Sequence, residues 1–186
     1  ELIGHFEILN LVAEGSRGKV FLAQGELDDD EVKLVAIKQF SSSGNSRALQ
    51  QAIEDQRRLG VNDVCSAHEF LANERSFVMQ YVHGLSLDKV VARLQERKET
   101  FFADAALELG CRVAAAMHDM YTLRGRGGEP TSLLHRSLKP SNVMLTPGSD
   151  VEILDYGFTS YHMPDWQVEL KQTGNLNLYR APEELR

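Results

Sequence analysis

The sequence predicts an α+β protein. Apolar–polar alternation and turn signals fill the first third, whereas apolar residues recur at helical spacing through much of the remainder, and strands and helices do not alternate as βαβ units. Phe6 to Ala23 alternates around Glu14-Gly15-Ser16-Arg17-Gly18, which predicts a hairpin. Asp28 to Glu31 reads as a solvated acidic turn before the strand Leu34–Lys38, and Ser41 to Ser46 as a polar linker. Ser46 to Leu59 is an amphipathic helix with Ser46 as the expected N-cap.

Phe77-Val78-Met79 is a further strand and Ser86 to Leu94 a helix. From Phe102 to Tyr121 the spacing of Ala106, Leu109, Val113 and Met117 predicts a long helix with those residues facing the core. A Gly/Arg loop, Leu123 to Thr131, precedes short strands at Val143–Leu145 and Val151–Leu154. No internal repeat or low-complexity tract interrupts this order.

Composition narrows the function class. The formal net charge of −7 argues against a nucleic-acid binder, because neutralising phosphates takes clustered Lys and Arg. Cys65 and Cys111 form no C-x-x-C pair and fit buried, reduced thiols in a cytoplasmic setting. His5, His68, His83, His118 and His162 show no metal-ligand spacing. No apolar run approaches the ~20 residues of a membrane span. The chain opens at Glu1 rather than Met, so it is expected to be cut from something longer, and an anchor could lie outside it.

A series of motifs, in order, carries the chemistry. Val12-Ala13-Glu14-Gly15-Ser16-Arg17-Gly18-Lys19-Val20 matches a Gly-rich phosphate loop G-x-G-x-x-G-x-V with Ala13 at the first glycine. Val35-Ala36-Ile37-Lys38 matches V-A-I-K. Phe77 to Gly84 resembles a hinge segment. His135-Arg136-Ser137-Leu138-Lys139-Pro140-Ser141-Asn142 and Asp155-Tyr156-Gly157 match H-R-D-L-K-x-x-N and D-F-G, with Ser137 in place of the aspartate. Ala181-Pro182-Glu183 completes the series.

From Ile3 to Glu183 the chain resembles the eukaryotic-like Ser/Thr protein kinases, and looks most like their bacterial members. The resemblance implies a bilobal fold, with a β-rich N-lobe over about residues 1–80. The first part of a helical C-lobe, residues 81–186, stops soon after A-P-E. Such a fold continues with further helices, so a fragment is the preferred expectation over a natural truncation, and the helix Phe102–Tyr121 is expected to leave apolar surface uncovered.

The resemblance also implies ATP and Mg²⁺ as cofactors. Ala13, Gly15, Gly18 and Lys38 would face phosphates, Val20, Ala36 and Met144 would line the adenine slot, and Met79 would be the gatekeeper. The Gln80 carbonyl and Val82 amide would pair with adenine. Lys139 would contact the γ-phosphate, and Asn142 and Asp155 would ligate magnesium. Arg136 would pair with a phosphorylated activation-loop residue, for which Thr159, Ser160, Tyr161 and Thr173 are candidates.

Three departures bear on activity. Ser137 replaces the base, and a serine hydroxyl cannot take a proton near neutral pH as a carboxylate can. Aligning Val61-Asn62-Asp63-Val64 with the family's H-P-N-V puts Ala52 where an acid should orient the phosphate-binding lysine. Glu54 lies far from that face, and Asp55 is closer but short, so the pair is expected to be missing. Leu176 stands where Ser/Thr kinases carry a threonine before A-P-E. The preferred expectation is a nucleotide-binding regulatory pseudokinase with a protein partner in signalling. The alternative is a slow Ser/Thr kinase that transfers the ATP γ-phosphate to a protein substrate. A module that has lost nucleotide binding is disfavoured, because Lys38, Asn142 and Asp155 all remain.

Overall fold

A computed structural model describes residues 1–15, 18–27, 31–42, 44–124, 128, 135 and 137–156. Ser16, Arg17, Arg136, Thr159, Ser160, Tyr161, Thr173, Leu176 and the A-P-E segment lie outside the described residues, as do most of the Gly/Arg loop and the side chains of Asp55 and Leu59. Two compact units divide the chain: Glu1–Gly60 with Ser66–Val82, and Val61–Cys65 with the residues from His83 onward.

The first unit is a six-stranded antiparallel sheet with one helix. Its strands are β1 (Leu2–Ile3), β2 (Phe6–Gly15), β3 (Gly18–Glu26), β4 (Val32–Phe40), β5 (Ala67–Leu71) and β6 (Ser76–Gln80), in the order β1-β2-β3-β4-β6-β5. The expected hairpin is β2–β3, longer at its far end than the alternation suggested. The pleat sends Ala23, Val35, Ile37 and Val78 to one face, where they join Ile3 and Phe6 in a core. Phe6, Val35, Ile37 and Val78 are fully buried, and each such side chain contributes roughly 1.5–3 kcal/mol relative to exposure.

The helix α1 (Ser46–Leu59) runs over the expected residues, but its cap is shifted by one. Asn45, not Ser46, is the N-cap, and its side-chain oxygen accepts from the Ala48 amide at 3.1 Å. Both residue types cap well, and only the geometry of the third amide decides between them. Gly60 ends the helix in the left-handed conformation and donates to the Gln56 carbonyl.

In the second unit β7 (Leu85–Ser86), β8 (Val143–Leu145) and β9 (Val151–Ile153) form a small antiparallel sheet in that order. Its helices are α2 (Leu87–Glu96), α3 (Ala103–Thr122) and a 3₁₀ turn at Pro140–Asn142. The α3 core face is rotated from the expected one: Ala116 and Met120 are fully buried, Leu109, Val113 and Met117 half-buried, and Ala106 exposed. α3 packs on β9 and its buried residues fall in its second half, while Phe102, which caps its start, and Leu107 face outward. No described helix is long and apolar enough to cross a membrane.

Candidate functional site

In the first unit, strand register assembles the predicted nucleotide residues. Val20 pairs with Lys38 and Ala13, Lys38 with Phe77, and Ala36 with Met79 and Leu22. Because direct cross-strand partners share a face and alternate residues return to it, Val20, Ala36, Lys38 and Met79 lie on one face of the sheet, opposite the Val35–Ile37 core. Met79 and Val82 are buried, and Gln80, half-buried, pairs with Val35 and receives a bond at its side-chain oxygen from the Ser66 amide.

Gly18 is required for a reason the motif did not reveal. It pairs with Phe40 in the register, its φ is +138°, and a Cβ there would lie 1.9 Å from the Gln39 carbonyl oxygen. Close approach of β3 to β4 therefore demands glycine whether or not a phosphate is bound. Gly15, the last residue of β2, has open space around a notional Cβ.

On α1, Ala52 is buried with Leu49 and Ile53, and Glu54 is exposed. The fourth member of that buried face is Gln56, an amide that sequence periodicity did not single out. A polar residue one turn beyond Ala52 in the apolar stripe was the available signal.

In the second unit, described residues of the His135–Asn142 segment form one hydrogen-bonded set. The Asn142 side-chain Nδ2 donates to the Ser137 carbonyl at 2.9 Å, and the Asn142 amide donates to the Lys139 carbonyl at 2.8 Å. The Leu154 amide donates to the Asn142 carbonyl at 2.8 Å, so the residue before Asp155 is tied to the same turn. The Ser137 amide donates to His135 Nδ1 at 3.3 Å, and the buried His135 ring packs against Tyr156 with centroids 4.6 Å apart.

Asp155 has φ +67°, a left-handed conformation that costs a non-glycine residue free energy and is found disproportionately at functional sites. Ser137, Lys139 and Met144 are half-buried, and Met144 pairs with Ser86 and Glu152.

The electrostatics beneath this loop are acidic. Desolvation, with Asp63 and Asp150 nearby, raises the Glu152 carboxyl above the usual carboxylate range, and Arg112 only partly opposes this. Its Oε2 is buried without a hydrogen-bond partner among the described residues. Burial, then the charges of Glu152 and Asp155, push the Cys65 thiol up. Burial also raises the Tyr156 phenol to about 12.

Asn142 and Asp155 offer an amide oxygen and a carboxylate, the hard donors that Mg²⁺ prefers. The bond from Nδ2 to Ser137 settles the amide orientation and leaves Oδ1 as the acceptor, so these residues fit a magnesium ion.

A protein kinase domain model matches residues 6–186. The chain belongs to the protein kinase domain family. Serine/threonine-protein kinase D1044.8 of Caenorhabditis elegans is 24% identical over 97% of this chain and 19% of its own length. Sucrose non-fermenting protein kinase 1 of Fusarium virguliforme is 28% identical over 97% of this chain and 24% of its own length. CBL-interacting protein kinase 15 of Oryza sativa subsp. japonica is 27% identical over 98% and 40%.

The chain thus spans between about a fifth and two fifths of the length of these three relatives. Among solved structures, the PknI kinase domain of Mycobacterium tuberculosis aligns with a TM-score of 0.64 at 21% identity, covering 84% of this chain and 61% of that one. That likeness bears on the fold, which is α+β and kinase-like.

Proposed function

We propose that this kinase domain binds ATP with Mg²⁺ and serves as a regulatory pseudokinase with little or no phosphotransfer. The observation that carries the reading is a turn in which the Asn142 side chain bonds the Ser137 carbonyl and the Asn142 carbonyl accepts the amide of Leu154, the neighbour of Asp155, with a serine where the motif has its aspartate. In this reading the first unit is the N-lobe and the second the start of the C-lobe. Lys38 and the Gly-rich hairpin are the phosphate residues, Val20, Ala36, Met79 and Met144 are each assigned to adenine by the motif pattern, and Gln80 and Val82 supply its backbone partners. Asn142 and Asp155 hold the metal, which when bound neutralises charge on the β- and γ-phosphates. Lys139 faces the γ-phosphate. Ser137 can orient a hydroxyl but leaves its proton in place. A cytoplasmic setting suits the thiols of Cys65, which is buried, and of Cys111, which is exposed rather than buried as the sequence suggests, and the partner is a protein of a signalling pathway.

The second reading is a slow Ser/Thr kinase, favoured by the same intact turn. Losing a general base is worth ~10²–10⁴, so from the ~1–100 s⁻¹ of ordinary kinases a rate of ~10⁻⁴ to 1 s⁻¹ would remain. Calorimetry with ATP and MgCl₂ tests the shared part: binding that Lys38→Ala weakens is expected, and no heat at millimolar nucleotide removes both readings. Single-turnover transfer from labelled ATP separates the two. No product over hours supports the pseudokinase, and a burst of phosphoprotein supports the slow enzyme.

A further inference from the structure

Arg112 lies in the middle of α3, within the stripe otherwise formed by Leu109, Val113 and Ala116. A cation in an apolar stripe calls for partners, and Arg112 has three hydrogen bonds. Its Nε donates to Asp63 Oδ2 at 3.1 Å and its Nη2 to Asp63 Oδ1, a two-point fork on one carboxylate. Its Nη1 donates to the Ser149 carbonyl at 2.8 Å. Both recipients have left-handed backbones, Asp63 at φ +60° and Ser149 at φ +69°, so Arg112 braces two conformations that cost free energy on their own.

Those two residues flank β9. Ser149 sits in the turn that leads into it. Asp63 belongs to the Val61–Cys65 segment, which lies beside β9 as a parallel neighbour through Val64 and Ile153. The Ile153 amide donates to the Asp63 carbonyl at 2.8 Å, and the Cys65 amide donates to the Ile153 carbonyl at 3.0 Å. Both backbone groups of Ile153 are therefore held by the segment that Arg112 grips. Asp155 follows two residues later, in its own left-handed conformation.

We propose that Arg112 is a positioning residue for Asp155: through Asp63 and Ser149 it clamps β9 from both sides and so sets the backbone from which the metal-facing carboxylate projects. The inference rests on the reading of Asp155 as a magnesium ligand. Arg112 touches neither nucleotide nor metal in this account. Its effect passes through Ile153.

The test compares Arg112→Met, which keeps an apolar stem, with Arg112→Lys, which keeps the charge but cannot make the fork. ATP affinity is measured in the whole protein in MgCl₂ and again in EDTA, and amide hydrogen exchange is followed at Cys65, Ile153 and Leu154. For Arg112→Met the gain in affinity from Mg²⁺ should fall by roughly tenfold or more, as for other residues that orient metal ligands, with affinity in EDTA little changed. Exchange should quicken at Cys65 and Ile153 and stay unchanged at Val35 and Ile37, and Arg112→Lys should recover less than half of either effect.

Equal loss in MgCl₂ and EDTA, or unchanged exchange at Ile153, overturns the proposal. A wild-type protein that gains nothing from Mg²⁺ overturns the metal role of Asp155 and the proposal with it, whereas a normal wild-type gain left intact by Arg112→Met overturns the proposal alone. Should Arg112→Met fail to fold, Asp63→Asn, which keeps shape and removes the charge, carries the same comparison.

Discussion

Asn142 donates its side-chain amide to the backbone carbonyl of Ser137 across 2.9 Å, while its own carbonyl accepts the amide of Leu154. One buried residue, by its side chain on one side and its backbone on the other, thus joins Ser137 to the strand end that delivers Asp155. The bond uses the Ser137 backbone, so it does not depend on which side chain stands at that position. In the proposed reading, loss of the base and loss of the loop's architecture are therefore separable changes.

Asn142→Asp should make the point measurable. The substitution keeps size but removes the donor, setting a carboxylate oxygen against the Ser137 carbonyl in a buried position. An unsatisfied buried acceptor costs about 1–3 kcal/mol, more when charged. A fall in unfolding free energy of that order, read as a lower denaturation midpoint, is expected at neutral pH, partly reversed in acid where the carboxyl can donate. An unchanged midpoint would mean the bond contributes nothing.

The two glycines of the Gly-rich hairpin should separate folding from binding. Gly18→Ala places a methyl 1.9 Å from the Gln39 oxygen at φ +138° and should destabilise the protein by on the order of 3 kcal/mol. Gly15→Ala meets open space and should leave stability within about 0.5 kcal/mol, while weakening Mg²⁺-ATP binding if the loop cradles phosphate. Thermal melts and calorimetry on both variants decide it, and equal melting temperatures would sink the distinction.

Much of this was legible from residues that act locally. Lys38 and Ala36 follow from a motif, and the alternation of Val35, Ile37 and their neighbours already set which face they share. The α1 span followed from its apolar spacing, yet Ser46 was taken as the cap because it and Asn45 are chemically equivalent until the amide geometry is known. The face of α3 was misread at Ala106, since periodicity finds a stripe but not which turns of it meet a partner. Arg112 and Asp63, 49 residues apart, could be paired only once tertiary structure brought them together. Gly18 was noticed for its possible phosphate and missed for its certain neighbour.

Glu152 should lower stability as pH rises. Its folded carboxyl titrates above the unfolded value, so between those two values the folded protein binds more protons than the unfolded chain and stability declines with increasing pH. Glu152→Gln removes that dependence and supplies a donor at the buried Oε2 position. The variant should melt higher than wild type at neutral pH, with the difference shrinking below the ordinary glutamate range. A difference independent of pH would assign the effect to packing instead.

Ser137→Asp alone should leave phosphotransfer near background, although it supplies the missing base. A base is productive only where nucleotide, metal and hydroxyl are already aligned, and that alignment depends on Lys38 being oriented by an acid. The α1 face that should carry the acid presents Leu49, Ala52, Ile53 and Gln56, all buried, with Glu54 exposed away from it. Ala52→Glu would bury a carboxylate among Leu49 and Ile53, so by itself it should lower the melting temperature, and Mg²⁺-ATP should restore more of that loss than it adds to wild type. With both changes present, turnover on a generic Ser/Thr peptide should exceed the product of the single gains, because residues that act as a unit are non-additive. Steady-state transfer and melting curves on the two single variants and the double decide the matter. Turnover of ~1–100 s⁻¹ from Ser137→Asp alone, the range of ordinary kinases, would show that Lys38 needs no partner at Ala52 and that Ser137 is the sole barrier to catalysis.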